Sequence, residues 1–107
     1  MIVHVILYKP RTDLADGMRH QILEGLATAA TAIPSIRRLR VGKRVIHGRP
    51  GYEQAMRTDF EYAVIVEFDD VGGLTAYLAH PAHNAIGGHF TASDSLAYDY
   101  EMVDLAS

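Results

Sequence analysis

Residues 60–83 constrain the fold more than any other part of the chain, because a strand, a helix and a polar tip follow one another without a break. Residues 60–68 alternate in strand register and carry apolar side chains on both faces. Residues 71–78 then place apolar side chains at helical spacing, after a pair of aspartates suited to capping a helix. The stretch ends in two histidines that flank a proline, HPAH at 80–83. The pattern predicts a sheet that carries a pocket.

The rest of the chain completes a βαββαβ order. The other predicted elements are a strand at 2–9, a helix from a cap at Thr12 or Asp13 to the residue before Pro34, a strand at 36–46, a loop at 47–59, a further turn at 83–90 and a strand at 95–104. With right-handed crossovers, the compact solution is a ferredoxin-like α+β fold. It has a four-stranded antiparallel sheet of order 4-1-3-2 and both helices on one face. We expect one domain over residues 1–107.

The first predicted strand is apolar on both faces, whereas a sheet with one wet face alternates apolar and polar residues. Val3, Val5 and Leu7 share the face that the helices leave uncovered. Exposing that face to water would create a large apolar patch. We therefore predict a homodimer that packs its sheets face to face, as a dimeric α+β barrel.

Charge and residue usage exclude several functional classes. The formal net charge is −3 and the basic residues form no long run, so we expect neither a nucleic-acid nor a membrane partner. The absence of cysteine excludes disulfides and thiolate chemistry, and it suits a cytoplasmic protein. No apolar stretch is long enough to cross a bilayer.

Six histidines raise the question of a metal site. His80 and His83 have i, i+3 spacing, but Pro81 interrupts the helix and the chain contains no HExxH motif. The two glycine pairs are too short to cradle a phosphate. We expect neither a metal nor an organic cofactor.

Histidine and tyrosine side chains near the polar corner are suited to proton transfer in a dry cleft. Imidazole titrates near neutral pH, and a tyrosine hydroxyl can donate to a carbonyl oxygen as an enolate develops. A carboxylate can fix the histidine tautomer. Tyr77, His83 and Asp99 are the candidates. Structural alternatives stay open: His4 as a buried histidine with one partner, His80 as a brace for the turn, His83 as a surface residue and the tyrosines as amphipathic walls.

Several motifs resemble the stress-responsive α/β-barrel family, the dimeric α+β barrel domain also called Dabb. They are the apolar strand after His4, YAVIVEFDD at 62–70, AYLAHPAH at 76–83 and YDYE at 98–101. The resemblance runs over nearly the whole chain. It implies a ferredoxin-like subunit and a sheet-to-sheet homodimer, and most members of the family have no assigned chemistry.

One relative in that family, olivetolic acid cyclase, closes a linear poly-β-keto chain by aldol condensation without a cofactor. The resemblance implies that His83 is the acid/base histidine, that Tyr77 orients the carbonyl and that Asp99 supports the histidine. Tyr62 stands where that enzyme has another histidine, so the pocket wall differs there. The residues expected to line the pocket are His4, Ile6, Tyr62, Val64, Leu78, Ile86 and Phe90.

These features predict a small homodimer with a hydrophobic pocket for a small, apolar carbonyl compound. If the protein is an enzyme, the expected chemistry is cofactor-free and resembles that of a polyketide cyclase. A second hypothesis is a non-catalytic ligand-binding or stress-associated dimer in which HPAH is a structural turn. A third, by fold analogy, is cofactor-free oxygenation.

Overall fold

A computed structural model describes residues 1–10, 16–91 and 94–105 and confirms the predicted order, with one additional helix. The predicted helix cap at Thr12 or Asp13 lies outside the described residues. The elements in chain order are β1 (Ile2–Lys9), α1 (Asp16–Ala32), β2 (Arg38–Lys43), a short 3-10 turn (Glu53–Ala55), β3 (Tyr62–Phe68), α2 (Val71–Ala79), α3 (Pro81–Thr91) and β4 (Asp94–Glu101).

The second strand is shorter than the predicted 36–46, and the connection to β3 is correspondingly longer. The last sheet contact is the Arg44 N–H, which donates to the Glu61 carbonyl at 2.8 Å. The chain then bends through Gly48 and Gly51, whose φ angles of 75° and 86° favour glycine. β3 and β4 are likewise shorter than predicted.

The predicted turn at 83–90 is part of a complete helix, α3, which begins at Pro81. Proline is well tolerated at the first helical position, because its missing N–H has no intrahelical partner there. His80 lies just before it, and its Nδ1 accepts from the Ala82 N–H at 3.0 Å. This contact confirms the bracing role predicted for His80.

The sheet confirms the predicted topology, with the order β2-β3-β1-β4 and antiparallel pairing throughout. β1 lies in the centre, so its residues have partners on both sides. His4 is opposite Val66 on β3 and opposite Asp99 on β4. The register of β1 therefore decides which polar side chains meet.

The core lies between the sheet and the helices, and strand alternation explains its membership. Val66 and Phe68 of β3 are fully buried, and burial of such a side chain stabilises the fold by roughly 1.5–3 kcal/mol. β1 buries every second residue on the same face. The helical contributors are Ile22, Leu26, Ala29, Ile33, Leu74 and Tyr77.

The start of α2 is held tightly against β3. Asp70 is the N-cap, and its Oδ1 accepts from the Gly73 N–H at 2.8 Å, as predicted for this aspartate pair. Asp69 instead accepts from Arg37 Nε at 2.7 Å. A Cβ on Gly73 would lie 3.3 Å from the Cβ of Phe68, so glycine permits the close approach that carries α2 over the sheet.

The other face of the sheet carries apolar side chains that no helix covers. Val3, Val5, Leu7 and Ile65 alternate with the core residues and are only half-buried. Tyr98 and Tyr100 of β4 are each 53% exposed on the same face. Within the described residues, no helix is both long and apolar enough to cross a membrane.

Candidate active site

A pair of polar side chains, His4 and Asp99, lies at the edge of the core. The two residues are directly opposite each other in the β1–β4 ladder, so their side chains emerge on the same face. His4 is 5% exposed, and its Nδ1 donates to Asp99 Oδ1 at 2.5 Å. A carboxylate only accepts hydrogen bonds, so Nδ1 of His4 carries the proton of this contact.

This geometry corrects the predicted role of Asp99. The sequence interpretation placed its carboxylate against His83, whereas the structure places it against His4. The reason is the sheet register, which brings His4 and Asp99 together across adjacent strands.

Tyr77 is the centre of the site and is only 1% exposed. Its ring centroid lies 4.7 Å from that of His83, 5.2 Å from that of Phe68 and 5.5 Å from that of His4. Burial, reinforced by the negative charge of Asp99, raises the pKa of Tyr77 to about 12. The hydroxyl therefore stays protonated at neutral pH and is available to donate a hydrogen bond.

His83 completes the group from the first turn of α3. Its ring packs edge-on against Tyr77, and its Nδ1 is buried without a hydrogen-bond partner of normal geometry among the described residues. Burial lowers the pKa of His83 below 6.5, and the nearby His4 lowers it further. The Leu78 main chain and the Asn84 side chain oppose this shift of the pKa in part. His83 is therefore neutral at pH 7 and able to accept a proton.

We call His4, Tyr77, His83 and Asp99 the histidine cluster. The HPAH motif brings it together in a simple way: His80 caps the turn, Pro81 starts α3, and His83 then faces back towards α2. No group of three or more histidine or carboxylate side chains in the described part of the chain is arranged to hold a metal ion.

The residues predicted to line one pocket do not all lie beside this cluster. Ile6 and Val64 belong to the core. Tyr62 pairs with Tyr8 across the β1–β3 ladder. Tyr8 follows His4 by four residues, which places Tyr62 about 13 Å from His4 along the strand direction. The described residues do not include the side chains of Ile86 and Phe90.

Leu78 was predicted as a wall residue, but its side chain is 41% exposed. It follows the buried Tyr77 by one position, which turns it about 100° around the helix and away from the core. The role of Leu78 as a wall residue stays a prediction.

In the described part of the chain, one cavity and one open groove have linings that do not include Tyr77, His83 or Asp99. The first has a volume of about 20 Å³, enough for about one water molecule. Tyr62 and Val64 contribute to its lining, together with Tyr8, Pro10, Ile22, Leu23, Leu26 and Val41.

The second cavity is an open groove of about 350 Å³ on the uncovered sheet face. Its lining residues are Leu7, Gly42, Lys43, Arg44, Met56, Thr58, Phe60 and Ala63. Sequence reasoning did not identify this groove, although the long loop at 47–59 was the available signal. It also missed Phe68 as a neighbour of Tyr77, because an apolar residue in a central strand is typical of any core.

Comparison with protein families gives one match, to the stress-responsive A/B barrel domain (Dabb), over residues 2–102. None of the curated proteins matches the chain.

Several solved structures share the fold at low sequence identity. A protein from Arabidopsis thaliana superposes with a TM-score of 0.81 at 19% identity, covering 100% of both chains. A hydroxynitrile lyase from Passiflora edulis has a TM-score of 0.81 at 15% identity, covering 99% of this chain and 96% of its own. A dimeric ferredoxin-like protein from Thermobifida fusca has a TM-score of 0.73 at 21% identity, covering 94% of this chain and 90% of its own.

Proposed function

The chain belongs to the stress-responsive A/B barrel family, and we propose that it is a homodimer that binds a small, mostly apolar carbonyl compound at the histidine cluster and moves a proton next to the carbonyl. One observation carries this proposal: a buried tyrosine with a raised pKa lies between two imidazoles, one of them held neutral. A donor and a proton acceptor are thus placed side by side in a site largely shielded from water.

The chemistry assigns a separate task to each ring. Tyr77 donates a hydrogen bond to the substrate carbonyl oxygen, and His83 removes a proton from the adjacent carbon. The electron pair of that C–H bond moves into an enolate, whose oxygen the Tyr77 hydroxyl stabilises. In aldol closure the enolate carbon forms a bond to a second carbonyl carbon. The proton held by His83 then passes to the new alkoxide, so no cofactor is consumed.

His4 and Asp99 support this chemistry electrostatically. The carboxylate accepts from Nδ1 of His4 and fixes the orientation of that ring against Tyr77. A negative charge near Tyr77 also opposes ionisation of its phenol, which keeps the proton on the donor. His4 and Asp99 therefore position Tyr77 and keep it protonated, and neither of them needs to abstract a proton.

Self-association is supported by the relatives and by the uncovered sheet face. The structural neighbours from Thermobifida fusca and Bacteroides fragilis are described as dimeric. The hydroxynitrile lyase neighbour shows that this fold can carry an enzyme. Its sequence identity of 15% to this chain indicates a shared fold and does not indicate a shared activity.

Proton exchange tests the proposal without knowledge of the natural substrate. The wild-type protein, incubated in D₂O with apolar ketones and β-diketones, is expected to accelerate replacement of the α-hydrogen by deuterium, followed by NMR. The matched control is His20→Gln, which removes an exposed histidine that is paired with Glu24 and lies outside the cluster. Saturable binding of these ketones without acceleration would contradict the proposed chemistry.

Binding without exchange would instead favour a non-catalytic ligand-binding dimer. One observation favours that second candidate: His80 and Pro81 already have structural roles at the start of α3. Part of the HPAH motif is therefore explained without any chemistry.

The pH dependence of exchange follows from the two shifted pKa values. Because the pKa of His83 is lowered, its active neutral form persists to a lower pH than in free histidine. We expect kcat/KM to rise with pH to a plateau, with its midpoint below 6.5, and to decline only as Tyr77 ionises near its pKa of about 12. A rate that falls as pH rises through neutrality would show that the base is not a neutral imidazole.

A further inference from the structure

The reacting groups of the histidine cluster are closed off from water. Tyr77 is 1% exposed and His4 is 5% exposed. The Nδ1 atom of His83 is buried, and its ring packs against Tyr77. A substrate carbonyl oxygen that accepts from Tyr77 must lie within about 3 Å of the hydroxyl oxygen. Part of the protein therefore has to move before a substrate can enter.

The helix α3 is the element that covers the cluster. Its backbone lies next to α1, α2 and β4, and its first turn packs His83 on Tyr77. Tyr77 and His4, by contrast, belong to α2 and to the central strand β1, which both contribute to the core. Of the described side chains of α3, that of Ala82 is partly buried against this core. Movement of α3 therefore uncovers the site while the elements that carry Tyr77 and His4 stay in place.

The junction between α2 and α3 makes α3 a separate unit. Pro81 disfavours helical backbone at the residue before it, and His80 is extended, with φ −74° and ψ 139°. The N–H groups of Ala82, His83 and Asn84 all bond to His80, the first to its Nδ1 and the other two to its carbonyl oxygen. The main-chain donors of this first turn are thus directed to His80 and not to α2. α3 starts from its own cap, so it can unfold and refold while α2 stays helical.

α3 is also weak as a helix. It has 11 residues, a length that is marginal for an isolated helix in water. Gly87 and Gly88 stand together in its interior, and each destabilises the helix relative to alanine. A Cβ added at Gly87 would meet nothing within 4 Å among the described residues, so close packing does not require glycine there. Segments of low local stability are the ones that open in native proteins.

We propose that α3 is a gate, which opens by local unfolding from His80 onwards, admits the substrate and refolds to bring His83 against it. The identity of the ligand rests on the proposed function, whereas the motion rests on the fold alone. Each part of the HPAH motif then serves the gate: His80 caps the helix, Pro81 fixes the corner, and the closing helix delivers His83. The base and the Tyr77 hydroxyl meet in the closed state, so the chemistry takes place there.

Amide hydrogen exchange, followed by NMR without any ligand, tests the motion. We expect the amides of residues 85–91 to exchange together and faster than those of α2. Gly87→Ala fits the open space and should slow their exchange about fivefold, after correction for intrinsic rates. His80→Ala removes the side-chain cap and should speed this exchange by about the same factor. The matched control is Gly42→Ala, the same substitution at an equally open position on β2, which should leave α3 unchanged.

The kinetics of ligand binding test the gating. Benzoylacetone, an apolar β-diketone, is mixed with each protein in a stopped-flow spectrophotometer. Because a gate controls passage in both directions, Gly87→Ala should slow association and dissociation alike by about fivefold and leave Kd unchanged. His80→Ala should speed both rates, again at constant Kd. A residue that only shaped the closed site would change Kd instead.

The outcomes separate the gate from the proposed function. If the α3 amides exchanged at one rate in all the variants, and no faster than those of α2, the gate would be overturned even if benzoylacetone bound. Variants that changed Kd at a constant association rate would overturn it too. Failure of benzoylacetone to bind, with α3 exchange as expected, would contradict the proposed function and support the motion of α3.

Discussion

Replacing His83 by glutamine is expected to lower the rate of α-hydrogen exchange by about 10²–10⁴-fold, the usual contribution of a positioned general base. Glutamine keeps polar hydrogen-bonding groups at the site but cannot accept a proton at neutral pH. The lowered pKa of His83 makes the wild-type ring fully available as a base at pH 7. The measurement is kcat/KM for deuterium exchange into an apolar β-diketone.

The His20→Gln variant is the matched control, because His20 is an exposed histidine on α1 and is paired with Glu24 at 2.9 Å. It should exchange at the wild-type rate. Thermal melts of both variants separate loss of chemistry from loss of folding. If His83→Gln kept the wild-type rate while His4→Gln lost it, the base would be His4, oriented by Asp99.

Much of the fold could be predicted because the apolar pattern of the central strands has a period of two. β1 and β3 are apolar on both faces, which favoured central positions in the sheet, as the strand order confirms. The charged β2 was correctly expected at an edge. The predicted ends of the strands were less accurate. At β2, for example, the Arg44 N–H still donates to the sheet after the strand has ended, so the chain leaves the sheet gradually.

For the proposed site, the sequence predicted which residues lie together better than it predicted their individual contacts. Tyr77 and His83 do meet, because Pro81 starts a new helix and does not merely end the previous one. The partner of Asp99 depends on the pairing of β1 with β4, which local patterns do not specify. Antiparallel pairing of β1 with β3 does place Tyr62 beside Tyr8, at the opposite end of the strand from His4, and the structure confirms this position.

Replacing Tyr77 by phenylalanine is expected to lower the same exchange rate by about 10²–10³-fold, comparable to the loss of one oxyanion donor. Phenylalanine preserves the ring that packs against Phe68 and His4, so the core should remain filled. Tyr52→Phe is the matched control, since Tyr52 is an exposed tyrosine in the loop before β3. An unchanged exchange rate in Tyr77→Phe would show that the Tyr77 hydroxyl takes no part in the mechanism. The proposal would then have no group that stabilises the enolate oxygen.

The same variant has a distinct signature at alkaline pH. The pKa of Tyr77 is raised from 10.0 to about 12 in the folded protein, so the unfolded chain loses this proton first as pH rises. Wild-type stability from this group is fully present below pH 10 and is lost progressively up to about pH 12. Tyr77→Phe has no phenol to ionise there and should show a smaller fall in Tm over that interval. Equal losses of Tm in the two proteins would mean that Tyr77 is not held protonated by the fold, which would also weaken its assignment as the carbonyl donor.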